Sequence, residues 1–437
     1  MNHKILLVGS GAREHAIAKT LKRSNQSNEV FCIGSNMNPG IEKICSKIII
    51  QDCNNPEIIL NYAVSNSINI AIIGPENPLE AGVADILLKE GVKVVGPKKN
   101  LAQIETSKSF TRELLKEYNI PGIPRYKIFN NMNGVSEFLN ELGDNFVVKY
   151  DGLAGGKGVK VAGDHLYSKN EALTYCKELV NNNGKFIIEE KFIGEEFSLM
   201  SFCDGNIMKH MPAVQDHKRA YEGDRGPNTG GMGTYSNADH SLPFLSDNDI
   251  IEAQQINLKT GFALKDKFNE GYKGVLYGGF MATANGVKLI EYNARFGDPE
   301  AMNVLSLLET DFIDICISIS ESSLDQIDVK FSNKATVCKY AVPTGYPESP
   351  IKGEPINGLD LLNPDCVLYA SVDIINGKLI AAGSRTVAVI GIADTISDAE
   401  KIAEKNISLI KGSLFHRSDI GTNNLINKRI EHMNLLR

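Results

Sequence analysis

Hydrophobic patterning starts at the N-terminus, where Ile5-Leu6-Leu7-Val8 is an apolar run stopped by Gly9-Ser10-Gly11. An apolar run this short, bounded by turn residues, predicts a buried strand over Lys4–Val8, and the following pattern predicts a helix over Glu14–Arg23. The alternation continues with strands at Val30–Gly34, Ile68–Gly74 and Val92–Gly96 and helices at Pro56–Asn66 and Pro78–Glu90. Strands alternating with helices imply a parallel, doubly wound α/β domain, Rossmann-like, over residues 1–104.

A helix over Ser107–Tyr118 follows, and Pro121 and Pro124 mark a boundary. Strands at Asn145–Tyr150, Val159–Ala162 and Lys185–Glu190, with a helix near Asn170–Asn181, predict a small α+β unit over 122–194. Residues 105–121 and 195–327 form a larger α+β region ending in the strand Val287–Asn293 and a helix from about Pro299. Beyond Asp328 the strands are short: Ala335–Val342, Val367–Ile375, Lys378–Gly383 and Thr386–Gly391. The helix Ser397–Ile410 carries Ser397 as N-cap with Glu400 three residues on, a capping-box pattern. We take 328–437 as a C-terminal α+β domain, so the chain is an α/β and α+β multidomain protein.

The length of 437 residues agrees with that division. The net charge of −7 argues against a nucleic-acid partner, which needs a broad basic surface. It leaves room for anionic small substrates, because a few cations reverse the field inside a cleft. The eight cysteines contain no C-x-x-C pair and no zinc-ligand spacing, as expected of free thiols in a reducing compartment. No apolar run is long enough for a signal peptide or a membrane span, so a cytoplasmic enzyme without membrane attachment is expected.

Five segments carry chemistry. Asp151-Gly152-Leu153-Ala154-Gly155-Gly156-Lys157-Gly158 is a glycine loop between apolar strands, able to cover phosphates with N–H groups and one ammonium. It is not a Walker A loop, and taken alone it is equally a hairpin turn with a solvated Lys. Lys149, at the end of the apolar strand before it, needs an anionic partner if buried, and a phosphate is one candidate. The second segment, Phe186 to Glu196, ends an apolar strand in carboxylates around a short linker. Such a linker can offer backbone groups to an adenine edge and a carboxylate to ribose, although paired Glu residues at strand ends are usually solvated.

In the third segment, Val287 to Glu300, strand alternation sets Glu291, Asn293 and Arg295 on one face and Ile290 and Tyr292 on the other. Oxygen ligands at i and i+2 suit Mg²⁺, and Arg295 can grip a carboxylate or phosphate bidentately. The fourth combines the basic cluster Gln215 to Arg219 with the glycine loop Gly226 to Gly233; read alone it is a surface loop. The fifth, Gly9 to His15, opens a helix after the first strand, an anion site by geometry. Glu14 stands where the third Gly of a dinucleotide fingerprint would be, and no ribose acid follows the second strand, which disfavours a nicotinamide dehydrogenase. Gly74-Pro75-Glu76 ends another strand at the same sheet edge.

In this order the segments GSGAREHA, GPENPL, DGLAGGKGV, EEKFIGEE, QDHKRAYEGDRGPNTGGMG and EYNARFGDPE resemble the ATP-grasp superfamily and, within it, the phosphoribosylamine–glycine ligase (glycinamide ribonucleotide synthetase) family. The resemblance spans nearly the whole chain. It implies a Rossmann-like N-terminal domain, an ATP-grasp lid over 122–194, a central ATP-grasp domain and a small C-terminal domain, with ATP between lid and centre. By resemblance Lys149, Gly155, Gly156 and Lys157 meet the phosphates. Glu189, Glu190, Lys191, Phe192 and Ile193 frame adenine, and Glu196 takes the ribose, with Glu195 as the alternative. Glu291 and Asn293 hold Mg²⁺ or Mn²⁺. Asp216, Lys218, Arg219, Arg295, Gly297 and Asp298 bind substrate, and Gly9, Gly11, Arg13, Pro75 and Glu76 face phosphoribosylamine. Arg295, Lys157 and Asp216 are the expected catalytic residues. One departure is that Leu276-Tyr277-Gly278-Gly279-Phe280-Met281, the strand before the metal strand, lacks the additional metal-binding acid of many ATP-grasp enzymes. The implied reaction joins glycine to 5-phosphoribosylamine through glycyl phosphate in purine biosynthesis, by a monomer or homodimer. The competing readings are another ATP-grasp ligase and a non-catalytic nucleotide-binding regulator on the same fold.

Overall fold

The computed structural model describes residues 2–155, 158–182 and 184–437. In the N-terminal region five parallel strands lie in the order Lys47–Ile50, Asn28–Gly34, His3–Val8, Ile70–Ile73, Lys93–Val95. The order reverses between His3–Val8 and Ile70–Ile73, and ligands gather at the carboxyl ends of strands at such a switch point. The Gly9 and Gly74 loops both leave the sheet there. Lys47–Ile50 is an addition to the sequence reading; it is an edge strand whose two end residues are exposed and whose middle two are half-buried. The single helix expected over Pro78–Glu90 is two, Glu76–Ala81 and Val83–Lys89, broken at Gly82 with φ +88°, a conformation that glycine alone adopts without strain.

A second, antiparallel sheet runs Tyr126–Phe129, Phe186–Glu190, Phe146–Tyr150, Val159–Val161. With the helices Val135–Leu142 and Lys169–Asn181 it encloses a core of its own, including Val135, Leu139, Val148 and Phe186. The strand Tyr126–Phe129 and the helix Val135–Leu142 are additions to the sequence reading. A third sheet, Met208–His210, Gly194–Asp204, Lys273–Thr283, Gly286–Asn293, is covered by the helix Asp247–Phe268, which Ser246 and Asp249 cap.

The C-terminal region shares a sheet with the centre. Ala335–Pro343 hydrogen-bonds to Gly233–Ser236 on one side and to Val387–Ala393 on the other, and Gln215–Asp216 and Val367–Tyr369 lie at the edges. The expected strand Val367–Ile375 is two, Val367–Tyr369 and Val372–Ile375. The helix following the sheet is Ile396–Ile407, and its N-cap is Thr395, whose side chain accepts from the Asp398 amide, in place of the expected Ser397. No helix among the described residues is long and apolar enough to cross a membrane.

Candidate active site

At the carboxyl edge of the parallel sheet, Glu14 folds back over its own loop. Its carboxylate accepts from the Gly11 amide at 2.7 Å and meets Arg13 Nε at 2.6 Å. A Cβ on Gly74 would lie 2.0 Å from Glu14 Oε1, and one on Gly9 would lie 2.9 Å from Glu14 Cδ. Two glycines at the ends of adjacent strands therefore make room for one carboxylate at the helix N-terminus. The Gly11 amide at the helix N-terminus is thus already paired with a carboxylate. Arg13 Nη1 donates to the Phe296 carbonyl at 3.2 Å, which joins the Gly9–Arg13 loop to the Arg295–Asp298 turn.

Pro75-Glu76 reaches the same turn. Arg295 Nε meets Glu76 at 3.3 Å and Nη2 meets Glu105 at 2.9 Å. The Arg295 guanidinium holds the Glu76 carboxyl below its usual range against the effect of burial. Burial outweighs Arg295 at Glu105 and pushes that carboxyl up. Glu105 also accepts the Ala294 amide at 2.7 Å, so it braces the end of the Glu291–Asn293 strand. Gly297 turns its N–H to the Met200 sulfur at 3.4 Å, and a Cβ there would meet Glu300 at 2.4 Å. The Asp298 carboxylate is held by Tyr340 Oη at 2.8 Å and Arg385 Nη2 at 3.1 Å.

The strand Gly286–Asn293 carries a β-bulge. Gly279 pairs with Glu291 and Phe280 with Leu289, so Ile290 is the extra residue. The bulge re-aims the end of the strand. Tyr292 is buried on the far side, with its hydroxyl 2.9 Å from Thr260, while Glu291 and Asn293 remain half-buried on the near face. Ile290, expected to face away, instead lines the cleft beside Glu291. Glu196, Asp216, Lys218 and Tyr277 complete that cleft. Burial would raise the Glu291 carboxyl, but the cations Lys218 and Lys149 outweigh it and hold it low. One ionised carboxylate and one amide oxygen on a strand face fit a hard cation that takes the rest of its shell from phosphate and water. Among the described residues no group of three or more His, Cys, Asp and Glu is arranged to hold a metal alone.

Lys218 Nζ meets Glu196 at 3.0 Å. The Asp216 carboxyl is pushed well up by burial and by neighbouring Glu300, whose own carboxyl burial raises and which takes the Tyr277 hydroxyl at 2.8 Å. Arg219 reaches across to Asp164 of the small domain at 3.0 Å. Glu195 is not in the cleft. It is buried against His432 at 2.6 Å and Arg429 at 3.3 Å of the helix Asn423–Leu436, which leaves Glu196 as the acid facing the cavity.

The base of the small domain is pinned by a buried triad that the sequence did not reveal. Glu189 takes Arg112 Nε at 2.6 Å and Nη2 at 3.0 Å, and Lys149 Nζ at 2.7 Å. Arg112 and Lys149 both donate to the Ile290 carbonyl, at 2.7 and 3.0 Å. The anionic partner of Lys149 in this structure is thus Glu189, and the Glu189 side chain is engaged below the linker. Glu190 pairs with Arg125 at 3.1 Å, Lys191 Nζ donates to the Ala162 carbonyl at 2.8 Å, and Phe192 and Ile193 continue the linker between the two sheets. Gly155 is exposed with φ +54°; Gly156 and Lys157 lie outside the described residues. Asp151, just after the strand Phe146–Tyr150, accepts the amide of Ser109 at 3.0 Å.

A small antiparallel sheet joined by a short linker to a central sheet, which carries a cleft of acids and one lysine, is the arrangement of an ATP-grasp enzyme, and residues 106–301 match the model of the phosphoribosylglycinamide synthetase ATP-grasp (A) domain. Residues 3–105 match that family's N domain and 336–423 its C domain. The chain belongs to the phosphoribosylglycinamide synthetase family. It is 49% identical over 434 residues to the phosphoribosylamine–glycine ligase of Methanosarcina barkeri, covering 99% of this chain and 100% of that one. To the ligase of the same name from Methanosarcina acetivorans it is 50% identical over 437 residues, 100% of this chain and 98% of the other. The crystal structure of phosphoribosylamine–glycine ligase from Thermotoga maritima superposes with a TM-score of 0.80 at 27% identity, covering 95% of this chain and 99% of that one.

Proposed function

We propose that this enzyme joins glycine to 5-phosphoribosylamine with ATP, releasing glycinamide ribonucleotide, ADP and phosphate, in purine biosynthesis. The glycine carboxylate attacks the γ-phosphorus of ATP and ADP leaves; the amine of phosphoribosylamine then attacks the glycyl carbonyl and phosphate leaves. The observation that carries this reading is the convergence in one cleft of Glu196, Asp216, Lys218 and Glu291, in a chain whose curated relatives bear that ligase name over their full length. The protein contributes position and charge, which is most of what phosphoryl transfer requires.

ATP lies between lid and central sheet, with Lys149, Gly155, Gly156 and Lys157 at its phosphates. The linker Glu189 to Ile193 lies at adenine and Glu196 at the ribose. Glu291 and Asn293 would hold Mg²⁺ or Mn²⁺, which supplies charge neutralisation on the phosphates. Asp216, Lys218, Arg219, Arg295, Gly297 and Asp298 serve the acceptor substrates, and Gly9, Gly11, Arg13, Pro75 and Glu76 the phosphoribosyl end. The eight free cysteines accord with a cytoplasmic enzyme, working as monomer or homodimer on small molecules. The test is phosphate release from ATP by purified protein with freshly made phosphoribosylamine. Release that requires both glycine and the amine is expected; release independent of glycine overturns the assignment.

A further inference from the structure

Arg385 lies between the strands Lys378–Ala381 and Val387–Ala393, in none of the motif segments. Its guanidinium projects from the C-terminal region onto two irregular loops beside the cleft. Nη1 donates to the carbonyls of Gly230, Gly231 (3.3 Å) and Asp298 (2.9 Å), and Nη2 meets the Asp298 carboxylate at 3.1 Å. The group lies over the Tyr340 ring, 4.7 Å from its centre, and the Tyr340 hydroxyl donates to the other Asp298 oxygen at 2.8 Å. Residues 229–232 and 296–299 are outside every strand and helix, so these carbonyls lack ladder partners and need a donor from elsewhere.

Gly231 backs directly onto Asp216. A Cβ on Gly231 would lie 2.7 Å from Asp216 Oδ1 and 2.7 Å from the Pro299 ring. The two loops and the cleft carboxylate are therefore packed without slack, and the guanidinium is the bracket across them. A planar fork of five donors can hold several acceptors at once, which a lysine ammonium at the same place cannot.

We propose that Arg385 is a positioning residue for the ligase reaction: it holds the Gly230-Gly231 and Asp298 loops against Asp216 and so shapes the part of the cleft assigned above to the acceptor substrates, glycine among them, leaving nucleotide binding unchanged. This rests on the proposed ligase activity. The site belongs to the reaction even though the side chain reaches it from the C-terminal region, which gives that region a part in substrate specificity.

The experiment compares full-length wild type, Arg385→Lys, Arg385→Ala and Tyr340→Phe. We expect the KM for glycine to rise about tenfold or more in both Arg385 variants, the scale of one lost charge-assisted contact. Tyr340→Phe should give a smaller rise, and the Kd of a non-hydrolysable ATP analogue, titrated directly, should stay within about twofold of wild type. If Arg385→Ala does not fold, Arg385→Lys carries the test, because it keeps the charge and most of the volume. A wild-type KM for glycine in a folded Arg385 variant overturns the inference. So does a loss of analogue binding that parallels the loss for glycine, since that is general loosening. Wild-type protein with no glycine-dependent turnover overturns the ligase assignment itself, and this inference with it.

Discussion

Replacing Glu189 with Gln removes the only anion from the triad with Arg112 and Lys149. Burial alone would raise the Glu189 carboxyl, but the Arg112 guanidinium and then the Lys149 ammonium reverse this and hold it at about 2 against an ordinary 4.5. That difference corresponds to about 3 kcal/mol of folded-state stability near neutral pH. Breaking a buried pair by deleting one partner gives a similar figure, ~3–5 kcal/mol, because the other charge stays behind. Lys149 can relieve part of the cost by losing its proton, since burial already lowers its pKa even beside Glu189; Arg112 cannot. The sign follows from a depressed carboxyl. The stabilisation is complete above 4.5 and is lost as pH falls through about 2. Denaturant unfolding of wild type and Glu189→Gln across that range should therefore show a gap that is widest near neutral pH and closes on acidification. Equal stability near neutral pH, or a gap that widens in acid, would refute the reasoning.

Arg295→Ala should lower turnover by roughly 10²–10³, as losing one preorganised contact does, and should destabilise the fold by stranding Glu105. Adding Glu105→Gln should restore stability but not turnover; recovery of turnover in the double variant would reduce Arg295 to a counter-ion for Glu105. Glu196→Ala should raise the KM for ATP, while Glu195→Gln should chiefly loosen the helix Asn423–Leu436, read by hydrogen exchange; the reverse pattern would exchange their roles. Chelation should abolish turnover, and Mg²⁺ or Mn²⁺ should restore it; undiminished activity in chelator would remove Glu291 and Asn293 from any metal site.

The parts of the fold legible in the sequence are those where local pattern and tertiary demand agree. Ile5 to Val8 is apolar because it is a strand buried on both faces, and the strand is where expected. Lys47–Ile50 is harder to read: three consecutive isoleucines carry no alternation, the strand is four residues long, and both of its ends are exposed. Gly82 was passed over because a glycine inside a helical pattern is often tolerated, and only its left-handed φ reveals the break. At the site, the glycine loops and acids were visible as motifs, but what holds them was not. Glu105 binds Ala294 from 189 positions away and Arg112 binds Glu189 from 77 positions away. The Ile290 bulge exists only in its pairing with Gly279 and Phe280. Arg385 belongs to no pattern that spacing could flag.

These omissions share one physical origin. The segments that form the cleft, its loops and the strand bulge at Ile290, are irregular, so these carbonyls and amides have no ladder partners, and burying them unpaired would cost more than packing returns. Each is met by a charged side chain from a distant segment: Arg13 at Phe296, Arg112 at Ile290, Arg385 at Asp298, and Glu105 at Ala294. Three of the four are arginines, because a guanidinium can satisfy a carbonyl and a carboxylate in one plane, as Arg112 does with Ile290 and Glu189. The site is thus kept rigid by buried ion pairs that bridge the sheets. Such pairs leave no periodic trace in the sequence, since either partner alone reads as a solvated surface charge.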